Sequence, residues 1–212
     1  MRLRSVERVL RERLQETLPG LDAQLRFAPT PLRPGWHPGQ RPADARRAAV
    51  LLLVYPFEEG TAVPLTLRGS GLARHAGQIS LPGGAADEGE TIVQAALRES
   101  SEEIGVDPAR VRVLGELTPV HVLVSGFTLH PVVGVTDERP AFVAAPGEVD
   151  EIVEVPIADL RDASRIRRGT RVREGMTVEY PYFDLGGHQV WGATAMVLSE
   201  FITLLEDELD YS

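Results

Sequence analysis

An unbroken apolar run over residues 48–55 constrains the fold more than any other segment of the chain. Its eight residues have the length of a buried β-strand. They are about half of the ~18 residues that a membrane span requires. A second strand candidate over residues 63–68 follows the turn sequence Glu58-Glu59-Gly60. The two segments therefore predict a β-hairpin in a soluble protein.

The remaining periodic segments alternate between strands and helices. Residues 91–104 predict a helix, because Gly105 follows the last periodic residue and Pro108 comes shortly after it. Residues 193–205 predict a closing helix. Further strands are predicted over residues 111–117, 127–135, 149–155, 177–184 and 189–191. Since the elements interleave without a repeat or a dividing linker, we expect one α/β domain.

The first 47 residues predict an extension of this domain. Apolar residues recur at helical spacing between charges over residues 3–18, which is typical of an amphipathic helix. An arginine-rich transit peptide is the alternative, and Glu7, Glu12 and Glu16 argue against it. Residues 29–42 contain five prolines and predict a surface loop or arm. The extension is thus a helix followed by a proline-rich arm.

Composition excludes several classes of chemistry. The chain has no cysteine, which excludes a disulfide framework, a thiolate zinc site and a cysteine nucleophile. All 22 basic residues are arginine, so neither a P-loop lysine nor a Schiff-base lysine exists. A net charge of −9 argues against binding to a nucleic-acid backbone, and no signal-peptide segment opens the chain. We expect a cytoplasmic protein that binds neither nucleic acid nor membranes.

Three glutamates on the helix predicted over residues 91–104 form a candidate chemical site. At about 100° per residue, Glu99, Glu102 and Glu103 share one arc of ~100°, beside a separate apolar arc. Like charges on one face repel each other, and Arg98 is the only base within this turn, so the cluster favours a bound cation. Carboxylate oxygens suit Mg²⁺ or Mn²⁺. A solvated acidic helix face is the alternative.

From Gly84 onward the chain resembles the Nudix box, GX₅EX₇REUXEEXGU with U apolar, and it matches at every fixed position. The departure is Ser100, which stands at a U position inside the apolar arc. The resemblance implies a Nudix-type α/β/α sandwich with a mixed sheet. It implies a single Nudix hydrolase domain over residues 1–212, with residues 1–47 as the N-terminal extension and residues 48–205 as the core.

The resemblance also assigns roles to the charged residues. The implied ligands of Mg²⁺ or Mn²⁺ are three carboxylates and one main-chain carbonyl, those of Glu99, Glu102, Glu103 and Gly83. Glu90 and Arg98 would orient the carboxylates. Nudix enzymes often take a further catalytic carboxylate from a segment after the box, for which we choose Glu148 over Glu151.

The segment before the box resembles the run LLTxRxxxLxxHxGQxxFPGG of the coenzyme A diphosphatase subfamily. The matching positions are residues 65–68, Leu72, His75, residues 77–78 and residues 80–84, with Leu81 in place of the usual Phe. Residues 125–134 and 190–195 also resemble that subfamily. The resemblance implies a small-molecule substrate, coenzyme A or a derivative. Hydrolysis of its diphosphate bond would give 3′,5′-adenosine bisphosphate and 4′-phosphopantetheine.

The same segment supplies the candidate substrate-binding residues, Arg68, Arg74, His75 and Gln78. Arg68 and Arg74 would suit the 3′-phosphate of coenzyme A, because a guanidinium binds phosphate through two hydrogen bonds. Surface ion pairs are their alternative. His75 is either a substrate contact or a structural histidine, and Gln78 either contacts substrate or braces the loop. Trp191 is either a core residue or a platform on which a base stacks.

Two other functions stay open at this point. The box permits hydrolysis of ADP-ribose, NADH or another nucleoside diphosphate derivative equally well, and the run over residues 68–84 is what favours coenzyme A. A Nudix-fold sensor would bind a nucleotide without turning it over. Such sensors usually lose box glutamates, and this sequence retains all of them.

Overall fold

The computed structural model describes residues 2–69 and 77–206. Its helices are α1 (Leu3–Arg13), α2 (Gly20–Leu25), α3 (Ile92–Ile104), α4 (Ile157–Arg161) and α5 (Gly192–Glu206). Its strands are β1 (Arg46–Phe57), β2 (Gly60–Arg68), β3 (Ile79–Ser80), β4 (Gly83–Ala85), β5 (Arg112–Glu116), β6 (Val120–Val122), β7 (Phe127–Val135), β8 (Val149–Pro156), β9 (Ile166–Arg173), β10 (Met176–Leu185) and β11 (His188–Trp191). Within the described residues, no helix combines the length and apolar character needed to cross a membrane.

A mixed eight-stranded sheet contains β1 at its centre. β1 pairs in parallel with β7 and antiparallel with β2 and β4. The main strand order is β3-β2-β1-β7-β5, while β8 pairs with β2 and β6 pairs with β7. The hairpin predicted from residues 48–55 and 63–68 is confirmed, because β1 and β2 pair on either side of the turn after Phe57.

The two faces of β1 explain why residues 48–55 are apolar without a break. Val50, Leu52 and Val54 point into a core that also contains α1 and α5. Leu51 and Leu53 point into a second core, against α3. Alternate residues of a strand face opposite sides, so a strand covered on both faces is apolar throughout. Helices on both faces of a mixed sheet confirm the predicted sandwich.

The first helix is shorter than the one predicted over residues 3–18. α1 ends at Arg13, so the predicted end at residue 18 is wrong. Leu14 and Leu18 keep the apolar spacing and pack against the core that contains α1, but they lie in the non-helical segment that follows α1. The α conformation is disfavoured just before Pro19, and the chain becomes helical again in α2. The apolar spacing therefore continues beyond the end of the helix, which is why it predicts a helix that is too long.

A second sheet, antiparallel and three-stranded, has the order β11-β10-β9. The proline-rich arm forms no helix, as predicted, and bridges to this sheet. Thr30 donates its N–H to the Glu179 carbonyl at 2.8 Å, and Glu179 donates its N–H to the Thr30 carbonyl at 2.9 Å. The sequence did not predict β9, in which four of eight residues are arginine and most residues are exposed.

Candidate active site

The predicted acids stand on α3, which is capped at both ends. Thr91 Oγ1 accepts the Gln94 N–H at 3.2 Å, and Gln94 Oε1 accepts the Thr91 N–H at 2.9 Å, which together form a capping box. Gly105 ends the helix with a φ of 72°, in the left-handed region. Ser100, the departure from the box, is buried and donates its hydroxyl to the Ala96 carbonyl at 2.7 Å. Its polar group is thus satisfied within the helix.

Two glycines bring the backbone of β4 against these acids. Gly83 pairs with β1 at a φ of 148°, and a Cβ there would lie 2.2 Å from the Ala49 carbonyl oxygen. A Cβ on Gly84 would lie 2.4 Å from Glu99 Oε2. Only residues without a side chain allow this approach. The Glu99 carboxylate therefore lies directly against the main chain of Gly84.

Glu103 is the buried acid of the site, with only 6% of its surface exposed. Burial raises the pKa of its carboxyl to about 7. The backbone N–H of Gly83, which donates to Glu103 Oε2 at 2.9 Å, and the Arg68 guanidinium, 3.6 Å from Oε1, oppose this rise. The negative charges of Glu99 and Glu148 add to it. The carboxylates of the site are thus close enough to repel one another.

Arg98 connects three further carboxylates. Its Nε and Nη2 donate to the two oxygens of Glu90 at 2.9 and 3.0 Å. Its Nη1 donates to Glu99 Oε1 at 2.9 Å and to Glu102 Oε2 at 3.1 Å. The bonds from Arg98 hold the pKa of Glu90 below its usual value, and those to Glu90 raise the pKa of Arg98. Arg98 therefore sets the relative positions of these acids.

The structure separates the two candidates for an additional carboxylate. Glu148 lies just before β8, where its carbonyl accepts the Gly69 N–H at 2.8 Å, and its charge acts on Glu103. Glu151 lies on β8 and faces His188 instead, with 3.4 Å between Oε2 and Nε2. Of the two acids, Glu148 is the one brought to the box.

Two of the four predicted substrate-binding residues fall within the described residues. The Arg68 N–H donates to the Gln78 carbonyl at 3.0 Å, and both residues line the cavity beside the box. Arg68 also contacts the buried Glu103, so it lies next to the acids. Arg74 and His75 lie outside the described residues.

Within the described ranges, no three acidic or histidine side chains surround a common point as the ligands of a bound ion do. Two predicted ligands, Glu99 and Glu102, share the guanidinium of Arg98. The donor chemistry fits Mg²⁺ or Mn²⁺, because the side-chain donors are carboxylates and a nearby cation would reverse the raised pKa of Glu103.

A cavity of about 660 Å³ opens beside Gly83 and Gly84, within the ~300–1,000 Å³ typical of ligand sites. Part of its wall is apolar, formed by side chains such as Val50, Leu81 and Leu129. Among the described residues, the basic side chains that line it are four arginines and one histidine, namely Arg33, Arg68, Arg171, Arg173 and His121. None of its lining residues in the described chain is aspartate or glutamate. In a protein of net charge −9, this cavity is selectively suited to an anion.

Sequence reasoning missed Arg33, Arg171 and Arg173, because they belong to no motif of the resemblance. The available signal was the spacing of Arg171 and Arg173, two residues apart, which puts both on one face of a strand. Trp191 lies in the cavity wall and is only partly buried, so its interpretation as a core residue is wrong.

Comparisons with known proteins identify the family of the chain. The sequence profile of the NUDIX domain matches residues 45–173. The chain is 36% identical over 176 residues to the uncharacterized Nudix hydrolase NudL of Klebsiella pneumoniae (strain 342), covering 80% of this chain and 86% of that protein. It is 34% identical over 168 residues to NudL of Shigella flexneri, covering 76% of this chain and 83% of that protein.

A solved structure shares the fold. The crystal structure of a MutT/nudix family protein from Enterococcus faecalis superposes with a TM-score of 0.51, at 16% identity, over 83% of this chain and 68% of that one. The NUDIX profile match and the identity to NudL show that the chain belongs to the Nudix family and is a Nudix hydrolase. Nudix hydrolases act on nucleoside diphosphate derivatives and generally use divalent metal ions such as Mg²⁺.

Proposed function

We propose that the protein hydrolyses the diphosphate bond of coenzyme A, or of a coenzyme A derivative, to 3′,5′-adenosine bisphosphate and 4′-phosphopantetheine. One observation carries this proposal. Arg68 and Gln78, from the segment that resembles the coenzyme A diphosphatases, line the same cavity as Gly83 and Gly84 of the box. Arg68 also contacts Glu103, so the segment that resembles the coenzyme A diphosphatases lies at the same site as the box.

The acids would hold the metal ion in this reaction. Glu99, Glu102, Glu103 and the Gly83 carbonyl would bind Mg²⁺ or Mn²⁺, which supplies positive charge to the diphosphate oxygens and the attacking water. Glu90 would act through Arg98, which it binds at 2.9 Å, to keep Glu99 and Glu102 in place. Glu148 would add a further carboxylate.

The remaining steps concern the substrate itself. Arg68 lies next to the acids and would donate hydrogen bonds to the diphosphate. Water attacks one phosphorus, the bridging P–O bond breaks, and each product leaves with one of the two phosphates. Without a cation, the negative charges around Glu103 would repel the diphosphate. Activity should therefore depend entirely on the divalent metal.

A substrate panel tests the proposal. Coenzyme A, ADP-ribose and NADH are each incubated with the protein in Mg²⁺, in Mn²⁺ and in EDTA, and the products are separated by chromatography. We expect both coenzyme A products to appear with either metal, none in EDTA, and the highest kcat/KM for coenzyme A. A higher kcat/KM for ADP-ribose or NADH would refute the choice of substrate. Turnover of no substrate by the folded protein would favour the sensor function.

A further inference from the structure

The second sheet forms a separate wall of the cavity, and an arginine is stacked there on aromatic rings. The Arg171 guanidinium lies 4.4 Å from the ring centre of Trp191 and 5.7 Å from that of Tyr180. The two rings lie 5.5 Å apart. A Cβ on Gly169 would lie 2.7 Å from Tyr180 Cζ, so this glycine makes room for the Tyr180 ring. The local sequence thus builds a support beneath the guanidinium.

The four arginines that line the cavity in the described part of the chain differ in their partners. Arg68 is 3.6 Å from Glu103, and Arg33 is 3.2 Å from Glu174. In the described part of the chain, neither Arg171 nor Arg173 forms an ion pair with a carboxylate. Arg173 Nη2 donates to the Pro31 carbonyl at 3.3 Å, and among the described residues its Nη1 makes no hydrogen bond. These two arginines therefore retain donors for a ligand.

Stacking leaves the donors of Arg171 available. A guanidinium that lies over an aromatic ring is held through its face, and its N–H groups point outward in its own plane. Arg171 and Arg173 are two residues apart on β9, both line the cavity, and no aspartate or glutamate lines it in the described chain. Two fixed guanidinium groups without competing acids are suited to a doubly charged phosphate monoester.

We propose that Arg171, supported by Trp191 and Tyr180 and assisted by Arg173, binds a phosphate monoester on the nucleotide half of the substrate. The inference rests on the proposed function, in which this group is the 3′-phosphate of coenzyme A. The sequence offered Arg68 and Arg74 for that phosphate. The contact of Arg68 with Glu103 favours the diphosphate side for Arg68, and Arg74 lies outside the described residues. The β9 arginines would distinguish coenzyme A from dephospho-coenzyme A.

Binding of product-like nucleotides tests this site without catalysis. Adenosine 3′,5′-bisphosphate and AMP differ only in the 3′-phosphate, and both can be titrated calorimetrically in EDTA. We expect the wild-type protein to bind the bisphosphate at least about tenfold more tightly, the scale of one charge-assisted hydrogen bond. Arg171→Ala should bring this ratio below about twofold while leaving AMP binding unchanged.

Arg167→Ala is the matched control, because Arg167 lies on the same strand, carries the same charge and does not line the cavity. It should keep the wild-type preference. The same preference in Arg171→Ala, or a wild-type protein that binds both nucleotides equally, would overturn the inference. Equal losses in Arg167→Ala and Arg171→Ala would also overturn it, since a general charge effect would explain both.

Kinetics separate this inference from the proposed function. If coenzyme A is hydrolysed more efficiently than ADP-ribose but Arg171→Ala still discriminates against dephospho-coenzyme A, the proposed function stands and the phosphate site is refuted. If ADP-ribose is the better substrate, the proposed function fails. The calorimetric comparison still judges the phosphate site in that case, because it needs neither metal nor turnover.

Discussion

Replacing Glu103 with glutamine should stabilise the metal-free protein at alkaline pH while abolishing its activity. Glutamine keeps an acceptor for the Gly83 N–H and removes the buried charge. Burial raises the pKa of this carboxyl from 4.5 to about 7. The folded protein therefore binds a proton more tightly at Glu103 than the unfolded chain does.

The sign and size of the change in stability follow from the difference between the folded and unfolded pKa values of Glu103. Between pH 4.5 and pH 7 the folded state holds more protons at Glu103 than the unfolded state, so the stability of the wild-type protein falls as pH rises through this window. At about 1.4 kcal/mol per pH unit, the full loss of stability across this window is on the order of 3 kcal/mol. Below pH 4.5 the penalty is absent, and above pH 7 it is complete.

Urea denaturation in EDTA at pH 4.5 and pH 8 measures the effect. Glu103→Gln should match the wild-type free energy of unfolding at pH 4.5 and exceed it at pH 8 by up to about 3 kcal/mol. Glu102→Gln is the matched control, because the Glu102 side chain is 58% exposed and should shift stability by no more than about 0.5 kcal/mol. A Glu103→Gln protein that is less stable than wild type at pH 8 would refute this reasoning.

Other perturbations give equally direct outcomes. Glu102→Gln should reduce kcat more than tenfold at saturating Mg²⁺, and a steady-state assay that finds more than a tenth of wild-type kcat would contradict its role. Millimolar Mn²⁺ should raise the melting temperature relative to EDTA, since the cation binds the folded cluster and not the dispersed acids; an unchanged value in thermal scans would count against the site. Gly84→Ala should abolish turnover with little change in melting temperature, because its Cβ would displace only the flexible end of Glu99; retained activity would show that the Glu99 position is unimportant. Arg68→Ala should raise KM for coenzyme A and dephospho-coenzyme A by the same factor of about ten, since both carry the diphosphate; a selective loss on coenzyme A would return the 3′-phosphate to Arg68.

Local signals were enough to predict the central elements. The helix predicted over residues 91–104 is α3, because its capping residues and apolar spacing lie within the segment itself. The run over residues 48–55 is buried in β1, because a strand covered on both faces must be apolar throughout. By contrast, β3, β4 and β6 have only two or three residues each and exist only through pairing, β3 with β2, β4 with β1 and β6 with β7. Sequence patterns of that length carry no periodic signal.

Part of the site was predictable because its signal also lies within one segment. Helical geometry alone predicts that Glu99, Glu102 and Glu103 share an arc. The structure then divides them, since Arg98 binds Glu99 and Glu102 while Glu103 is buried against Gly83. That division depends on tertiary packing of α3 against β4, which no single segment encodes.

In the second sheet, β10 and β11 match the strands predicted over residues 177–184 and 189–191, but β9 could not be predicted from the chain. Half of the residues of β9 are arginine and most are exposed, so β9 lacks the alternation by which half-buried strands are identified. Its position depends on pairing with β10 and on Gly169, over which the Tyr180 ring lies. The role that we assign to Arg171 follows from that packing alone.

A competition assay tests the central claim most directly. Equal concentrations of coenzyme A and ADP-ribose are mixed with the protein and Mg²⁺, and the initial rates of 3′,5′-adenosine bisphosphate and AMP formation are followed by chromatography. Their ratio equals the ratio of the two kcat/KM values. We expect 3′,5′-adenosine bisphosphate to form faster, and neither product to form in EDTA or with Glu102→Gln. Faster formation of AMP, or product formation in EDTA, would contradict a metal-dependent coenzyme A diphosphatase at this site.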